Sequence, residues 1–131
     1  MKKIAGILVI LVFCNICLGQ KREPDRQANQ ALGQYWFVMY YKTGKSNLDS
    51  ATRIKLTGNH INYILGLRKK GKIITGGAFT DQVAWLGFQV YNCKTKEEVI
   101  KLTEEDPLIS SKMATYEIHP WVTLKDTVTF N

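Results

Sequence analysis

Hydrophobic and polar positions change their period several times along this chain, and each change marks an element. Ile4 to Leu18 is almost unbroken apolar sequence, whereas Gln20 to Gln34 (QKREPDRQANQALGQ) is polar with one large apolar residue, Leu32. Tyr35 to Tyr41 (YWFVMYY) is aromatic and β-favouring, apolar on both faces, and is stopped by Lys42-Thr43-Gly44-Lys45-Ser46; it predicts a first strand. From Asn47 to Lys70 the period becomes helical. At about 100° per residue, Leu56, His60, Ile64, Leu67, Ile61, Ile54 and Leu65 share one broad arc, opposite Lys55, Asn59, Asn62, Gly66 and Lys69. Gly71 ends this helix as a C′ residue. Lys72 to Thr75 predicts a short second strand, Gly76-Gly77 and Thr80-Asp81 a loop, and Ala84 to Tyr91 a third strand with Gly87 at its centre. Thr95-x-x-Glu98 is a capping-box pattern opening a second helix, Lys96 to Glu104. Asp106-Pro107 offers an N-cap and an N1 proline for a further helical turn, Leu108 to Met113, and Thr115 to Leu124 predicts a fourth strand.

Strand, helix, strand, strand, helix, strand is the α+β, ferredoxin-like βαββαβ order: an antiparallel four-stranded sheet with two helices on one face. Nothing in the sequence covers the other face. Strands one and three are apolar on both sides, so a monomer leaves a greasy sheet face in water, and such a patch marks an interface. The expectation is a homodimer through the open sheet faces, or a ligand on that face. The chain divides into a signal peptide (1–19), a flexible polar tether (20–34), the folded domain (35–126) and a C-terminal tail (127–131).

Composition agrees with one ordinary domain: 131 residues, 45% hydrophobic and 22% charged, enough apolar material for a core and too much for a disordered chain. Lys2 and Lys3, the apolar run, and Cys17-Leu18-Gly19 form a secretory signal cleaved after Gly19, which places the protein outside the cytosol, periplasmic or secreted. The run falls short of the roughly 20 residues that span a bilayer, so membrane attachment is expected only if this segment is retained as an anchor. Losing Lys2 and Lys3 lowers the formal net charge from +7 to +5. Arg68, Lys69, Lys70 and Lys72 cluster at a helix C-terminus, where cations are stabilising in their own right, and this reads as a solvated helix end. Cys14-x-x-Cys17 falls inside the signal, leaving Cys93 alone and no internal disulfide. An aromatic open sheet is also the RNA-recognition platform, and Gly87-Phe88-Gln89-Val90-Tyr91 matches the tail of its consensus. Trp85 and Leu86 miss the head and no basic stripe exists, so no nucleic-acid partner is expected.

Chemistry must come from few groups. The zinc, P-loop, dinucleotide and nucleophile-elbow signatures are missing after the signal, and two histidines remain. His60 sits inside the apolar arc one turn from Leu56 and Ile64, an odd place for an imidazole. It is either a core histidine satisfied by a backbone carbonyl or a functional base. His119 has no neighbour in sequence that suggests proton transfer, and Asp106 by itself is a helix cap.

His60-Ile61-Asn62-Tyr63-Ile64-Leu65, then Gly71-Lys72-Ile73-Ile74-Thr75-Gly76-Gly77, Gly87, Glu97-Glu98, Glu105-Asp106-Pro107-Leu108 and Pro120-Trp121 together resemble the YCII-related (YciI-like) family across nearly all of Tyr35 to Leu124. The resemblance implies a dimeric α+β barrel with a small-molecule pocket in each subunit, holding a helix histidine and the aspartate of the Asp-Pro step, here His60 and Asp106. An aspartate accepting Nδ1–H fixes the imidazole tautomer and leaves Nε2 to move a proton, as in isomerisation or HX elimination, chemistry that calls for no metal and no cofactor. Tyr40, Thr75, Gly76 and Gly77 are the expected substrate-side residues, placed there by the strand ends. The expected function is a small-molecule lyase or isomerase; the alternative is a non-catalytic dimeric small-molecule-binding domain.

Overall fold

A strand that pairs along its whole length opens the domain. The computed structural model describes residues 31–44, 47–81 and 84–125; the signal segment 1–19, the tether up to residue 30 and the tail 127–131 lie outside the described residues. Strand β1 (Leu32–Lys42) is followed by helix α1 (Ser50–Lys69), strands β2 (Ile73–Ala78) and β3 (Trp85–Tyr91), helix α2 (Lys96–Glu104), the short helix α3 (Pro107–Ser110) and strand β4 (Ala114–Leu124). The sheet runs β2-β3-β1-β4 and every neighbouring pair is antiparallel. This is the ferredoxin-like α+β arrangement.

Two strand boundaries differ from the expectation by more than one residue, for the same reason. β1 begins at Leu32, inside the stretch expected to be tether, because Leu32, Gly33 and Gln34 pair with Leu124, Thr123 and Val122. β2 continues through Gly76 and Gly77, expected as a loop, because these pair with Gln89 and Phe88. A ladder supplied by a neighbouring strand outweighs the weak strand propensity of glycine. At Gly76 the missing side chain is also a requirement, since a Cβ there would run into the Gln89 side chain.

α1 starts where the Asp49 carboxylate accepts from the Thr52 N–H at 2.9 Å and the Thr52 hydroxyl at 2.8 Å, and stops at Gly71 with φ 69°. Ile64 and Leu67 are buried, with Leu56 and Tyr63 packed beside them against Val38, Tyr40, Ile73, Tyr91 and Val99. The apolar arc is narrower than its periodicity suggests. Ile54 is 74% exposed, Ile61 51% and Leu65 49%, because the side of α1 that carries Ile61 and Leu65 overlooks a cavity instead of packed core. Thr95 caps α2 by accepting from the Glu98 N–H at 3.2 Å, but the Glu98 carboxylate turns away to Lys72, 2.6 Å from its Nζ.

A chain of rings runs along the sheet face away from the helices, and two of them, Phe79 and Phe88, also line the cavity. Trp121 lies 6.2 Å from Tyr35 and 6.4 Å from Phe37, which stacks on Phe88 at 5.1 Å. Phe79 then stands 6.2 Å from Phe88 and 5.9 Å from Trp85. These contacts link rings borne by β4, β1 and β3 and by the segment just after β2.

Candidate active site

Helical spacing puts Arg53, Thr57, His60, Ile61, Ile64, Leu65 and Arg68 on one side of α1, at successive steps of three or four residues with Ile61 and Leu65 adjacent. That side walls a cavity of about 780 Å³. The facing wall is the helix side of the sheet: Tyr40 and Lys42 from β1, Gly76 and Gly77 from β2, and Leu86, Gly87 and Gln89 from β3, with Leu108 and Met113 closing the base.

His60 is the point where this cavity meets the buried interior. Its Nδ1 stands 2.8 Å from Asp106 Oδ2 and 2.9 Å from Oδ1. The Asp106 side chain is wholly buried and the His60 side chain 17% exposed. Asp106 also caps α3, its Oδ1 accepting from the Leu108 N–H at 2.9 Å, so capping and histidine contact are performed by one carboxylate. An ionised carboxylate has only acceptors to offer, which makes Nδ1 the protonated nitrogen and leaves Nε2 with a lone pair. Among the described residues Nε2 has no protein partner, and His60 lines the cavity.

Tyr40 completes the arrangement. Its ring meets that of His60 edge-on at 5.9 Å, and its hydroxyl lies 3.4 Å from the Tyr91 hydroxyl. Burial, reinforced by the neighbouring Tyr91 and by hydrogen bonding to Asp106, pushes the Tyr40 hydroxyl far above the ordinary tyrosine range, and burial raises Tyr91 as well. Both are therefore neutral hydrogen-bonding phenols beside the Asp106 carboxyl group.

The residues expected on the substrate side divide. Tyr40, Gly76 and Gly77 line the cavity; Thr75, which pairs with Val90 at an irregularity in the β2–β3 ladder, does not. Thr75 and Gly76 are neighbours that pair with Val90 and Gln89 in turn, so the ordinary alternation of the strand puts Thr75 on the face away from that of Gln89. His119 lies on the exposed part of β4, 3.6 Å from Glu117 and away from the cavity. Cys93 is buried, and burial pushes its thiol up, away from the reactive thiolate. Among the described residues no group of three or more His, Cys, Asp or Glu side chains is placed to hold a metal ion.

A family model for the YCII-related domain matches residues 34–122. The chain belongs to the YCII-related family. No curated protein matches it. Among solved structures, this YCII-related chain is similar to the 5-chloro-2-hydroxyhydroquinone dehydrochlorinase of Burkholderia phenoliruptrix AC1100 in complex with 2,5-dihydroxybenzoquinone, at 22% identity and TM-score 0.50, covering 66% of this chain and 92% of that one. It is also similar to muconolactone isomerase, at 11% identity and TM-score 0.57, covering 74% and 97%. At such identities the likeness shows the fold, that of the dimeric α+β barrels.

Sequence reasoning missed Thr57, Gln89 and the cationic residues Lys42, Arg53 and Arg68 as cavity-lining groups of this YCII-related chain. For three of them the signal was present. Arg53, Thr57 and Arg68 share the helical phase of His60 and Ile64, and extending that phase to polar residues would have found them. The Tyr40–Tyr91 contact joins residues 51 apart in sequence and has no local signature.

Proposed function

We propose that this YCII-related protein is a small-molecule lyase or isomerase in which His60 is the general base. The carrying observation is the buried Asp106 carboxylate 2.8 Å from His60 Nδ1, with the opposite ring nitrogen left for a ligand in the cavity. Nε2 takes a proton from an acidic carbon or hydroxyl of the substrate, and the imidazolium so formed is stabilised by Asp106. The electron pair left behind then either accepts the proton at a second position, which is isomerisation, or expels a leaving group as its anion, which is elimination. The dehydrochlorinase and the isomerase among the similar structures support this kind of reaction. Tyr40, Gly76 and Gly77 contact the substrate, and the active unit is a homodimer formed through the open aromatic sheet face. Export, with cleavage after Gly19, belongs to the same reading and rests on the sequence of residues 1–19.

The test is base-catalysed exchange. Full-length protein is incubated in deuterium oxide with a panel of hydroxyquinones and unsaturated lactones, and deuterium incorporation, isomerisation and halide release are followed for the wild type and His60→Gln. The expected result is turnover by the wild type and its loss, by about 10²–10⁴-fold, in a variant with an unchanged melting temperature. Turnover that survives in His60→Gln, or ligands that bind the wild type without exchange or reaction, removes the base assignment and leaves a non-catalytic binding domain.

A further inference from the structure

We propose that the cavity is selective for an organic anion, a single-ring acid whose carboxylate is held at one end by Lys42 or at the other by Arg68, while the ring lies against His60. This deepens the base assignment above and rests on it for the use made of the ligand, although the charge selection stands on its own observations. Of the described residues lining the cavity, Lys42, Arg53 and Arg68 are cations and none is a carboxylate. Asp106 is shut off behind His60 and wholly buried. Among the described residues neither Lys42 nor Arg68 joins the ion pairs of His60 with Asp106, Lys72 with Glu98, or His119 with Glu117. A concave surface with one sign of charge and low-dielectric walls concentrates ligands of the opposite sign.

The charges bracket the base. Lys42 is the last residue of β1 and Arg53 is in the first turn of α1, so the short connection between those elements brings both to one end of the cavity. Arg68 lines the other end. At 1.5 Å per residue, Arg53 lies about 10 Å and Arg68 about 12 Å along the α1 axis from His60. Helical side chains lean toward the N-terminus, which carries Arg68 toward His60. Tyr40 and Lys42 are alternate residues of β1, about 7 Å apart on one face, and the Tyr40 ring is against His60. A carboxylate on either cation therefore leaves a ring within reach of Nε2. Ile61, Leu65, Phe79 and Leu86 supply the apolar lining that a ring needs and that a bare inorganic anion does not use. The same cations stabilise the negative charge that develops when His60 removes a proton.

Full-length protein is titrated with benzoate and with its neutral isostere benzamide, following the His60 and Tyr40 side-chain NMR signals, in the wild type, Lys42→Met, Arg68→Gln, the double variant and His60→Gln. Benzoate is expected to bind about tenfold or more tightly than benzamide. Each single variant should weaken that preference, the double variant should abolish it, and His60→Gln should keep it. Equal binding of the two probes, no benzoate binding in the millimolar range, or a preference that survives the double variant overturns the proposal. So does a preference that disappears in His60→Gln, because the anion then belongs to the imidazolium. No readout here depends on turnover, so loss of the base assignment and loss of the anion site are separately visible.

Discussion

His60 Nδ1 and the Asp106 carboxylate meet at 2.8 and 2.9 Å, and the same Asp106 oxygen that lies at 2.9 Å also accepts the Leu108 N–H. This double use gives Asp106→Asn a defined outcome. Asparagine has one acceptor oxygen, which the Leu108 N–H claims, and its NH₂ then faces His60. Nδ1 must become the acceptor and the proton moves to Nε2. Nitrogen-15 NMR should show the Nδ1–H tautomer in the wild type and Nε2–H in Asp106→Asn, with any proton-transfer activity reduced by about 10²–10⁴-fold. An unchanged tautomer means that Asp106 serves α3 alone.

Alkaline stability follows from the phenols around that carboxylate. Tyr40 and Tyr91 are raised chiefly by burial, and Tyr63 by burial and the neighbouring Glu105. Below the ordinary value of 10.0 each is protonated in folded and unfolded chains alike. Above it the unfolded chain loses protons that the folded chain keeps, so unfolding becomes easier as pH rises. Urea melts should show a shallow fall near pH 9, where the unfolded chain ionises the thiol that burial keeps protonated at Cys93, whose ordinary value is 9.0, and a steeper fall beyond about pH 10 that is reduced in Tyr40→Phe. A wild-type profile that stays level past that point removes the burial argument.

The element order, the capped helix starts at Thr95 and Asp106 and the Gly71 stop were legible because each is a local signal of period or cap chemistry. His60 was legible as an anomaly, an imidazole on an apolar arc, and Asp106 as a cap; their meeting, 46 residues apart, came into the sequence reading through family resemblance. What was not legible depends on partners distant in the chain. Leu32 to Gln34 and Gly76 to Ala78 become strand because β4 and β3 offer ladders there. Ile61 and Leu65 follow core periodicity, yet the space beneath them is a cavity, and no one-dimensional pattern distinguishes filled from empty space.

Gly76 is fixed by Gln89. A methyl group at Gly76 would run into the Gln89 side chain and lie 2.6 Å from the Phe88 carbonyl oxygen. Gly76→Ala is therefore expected to lower stability by about 1–3 kcal/mol, as overpacking does, and to drive the Gln89 side chain from its place at the cavity wall. Gly77, which meets nothing within 4 Å, is the control: Gly77→Ala should change stability little. Thermal melts of both variants decide the point, and equal losses in the two would show that the strand backbone, not the Gln89 contact, is responsible.

The ring chain from Trp121 through Phe37 and Phe88 to Trp85 sets the last prediction. Trp85, at the end of this ring chain, remains 50% exposed in a single subunit. Burial of apolar area is worth about 25 cal/mol per Å², so a second copy laid face to face removes the cost that one subunit bears. Antiparallel sheets tolerate water on one face when that face is polar; here Tyr35, Phe37, Phe88 and Trp121 form an apolar patch beside the exposed Glu117–His119 pair. Sedimentation equilibrium at micromolar concentration should give twice the chain mass for the wild type, and the monomer mass for Phe37→Glu and for Trp121→Glu. His60 and Asp106 lie on the helix side of the sheet, so monomeric variants should still show the His60–Asp106 tautomer. A wild-type monomer under the same conditions ends the dimer assignment, and glutamate variants that remain dimeric place the interface elsewhere on the molecule.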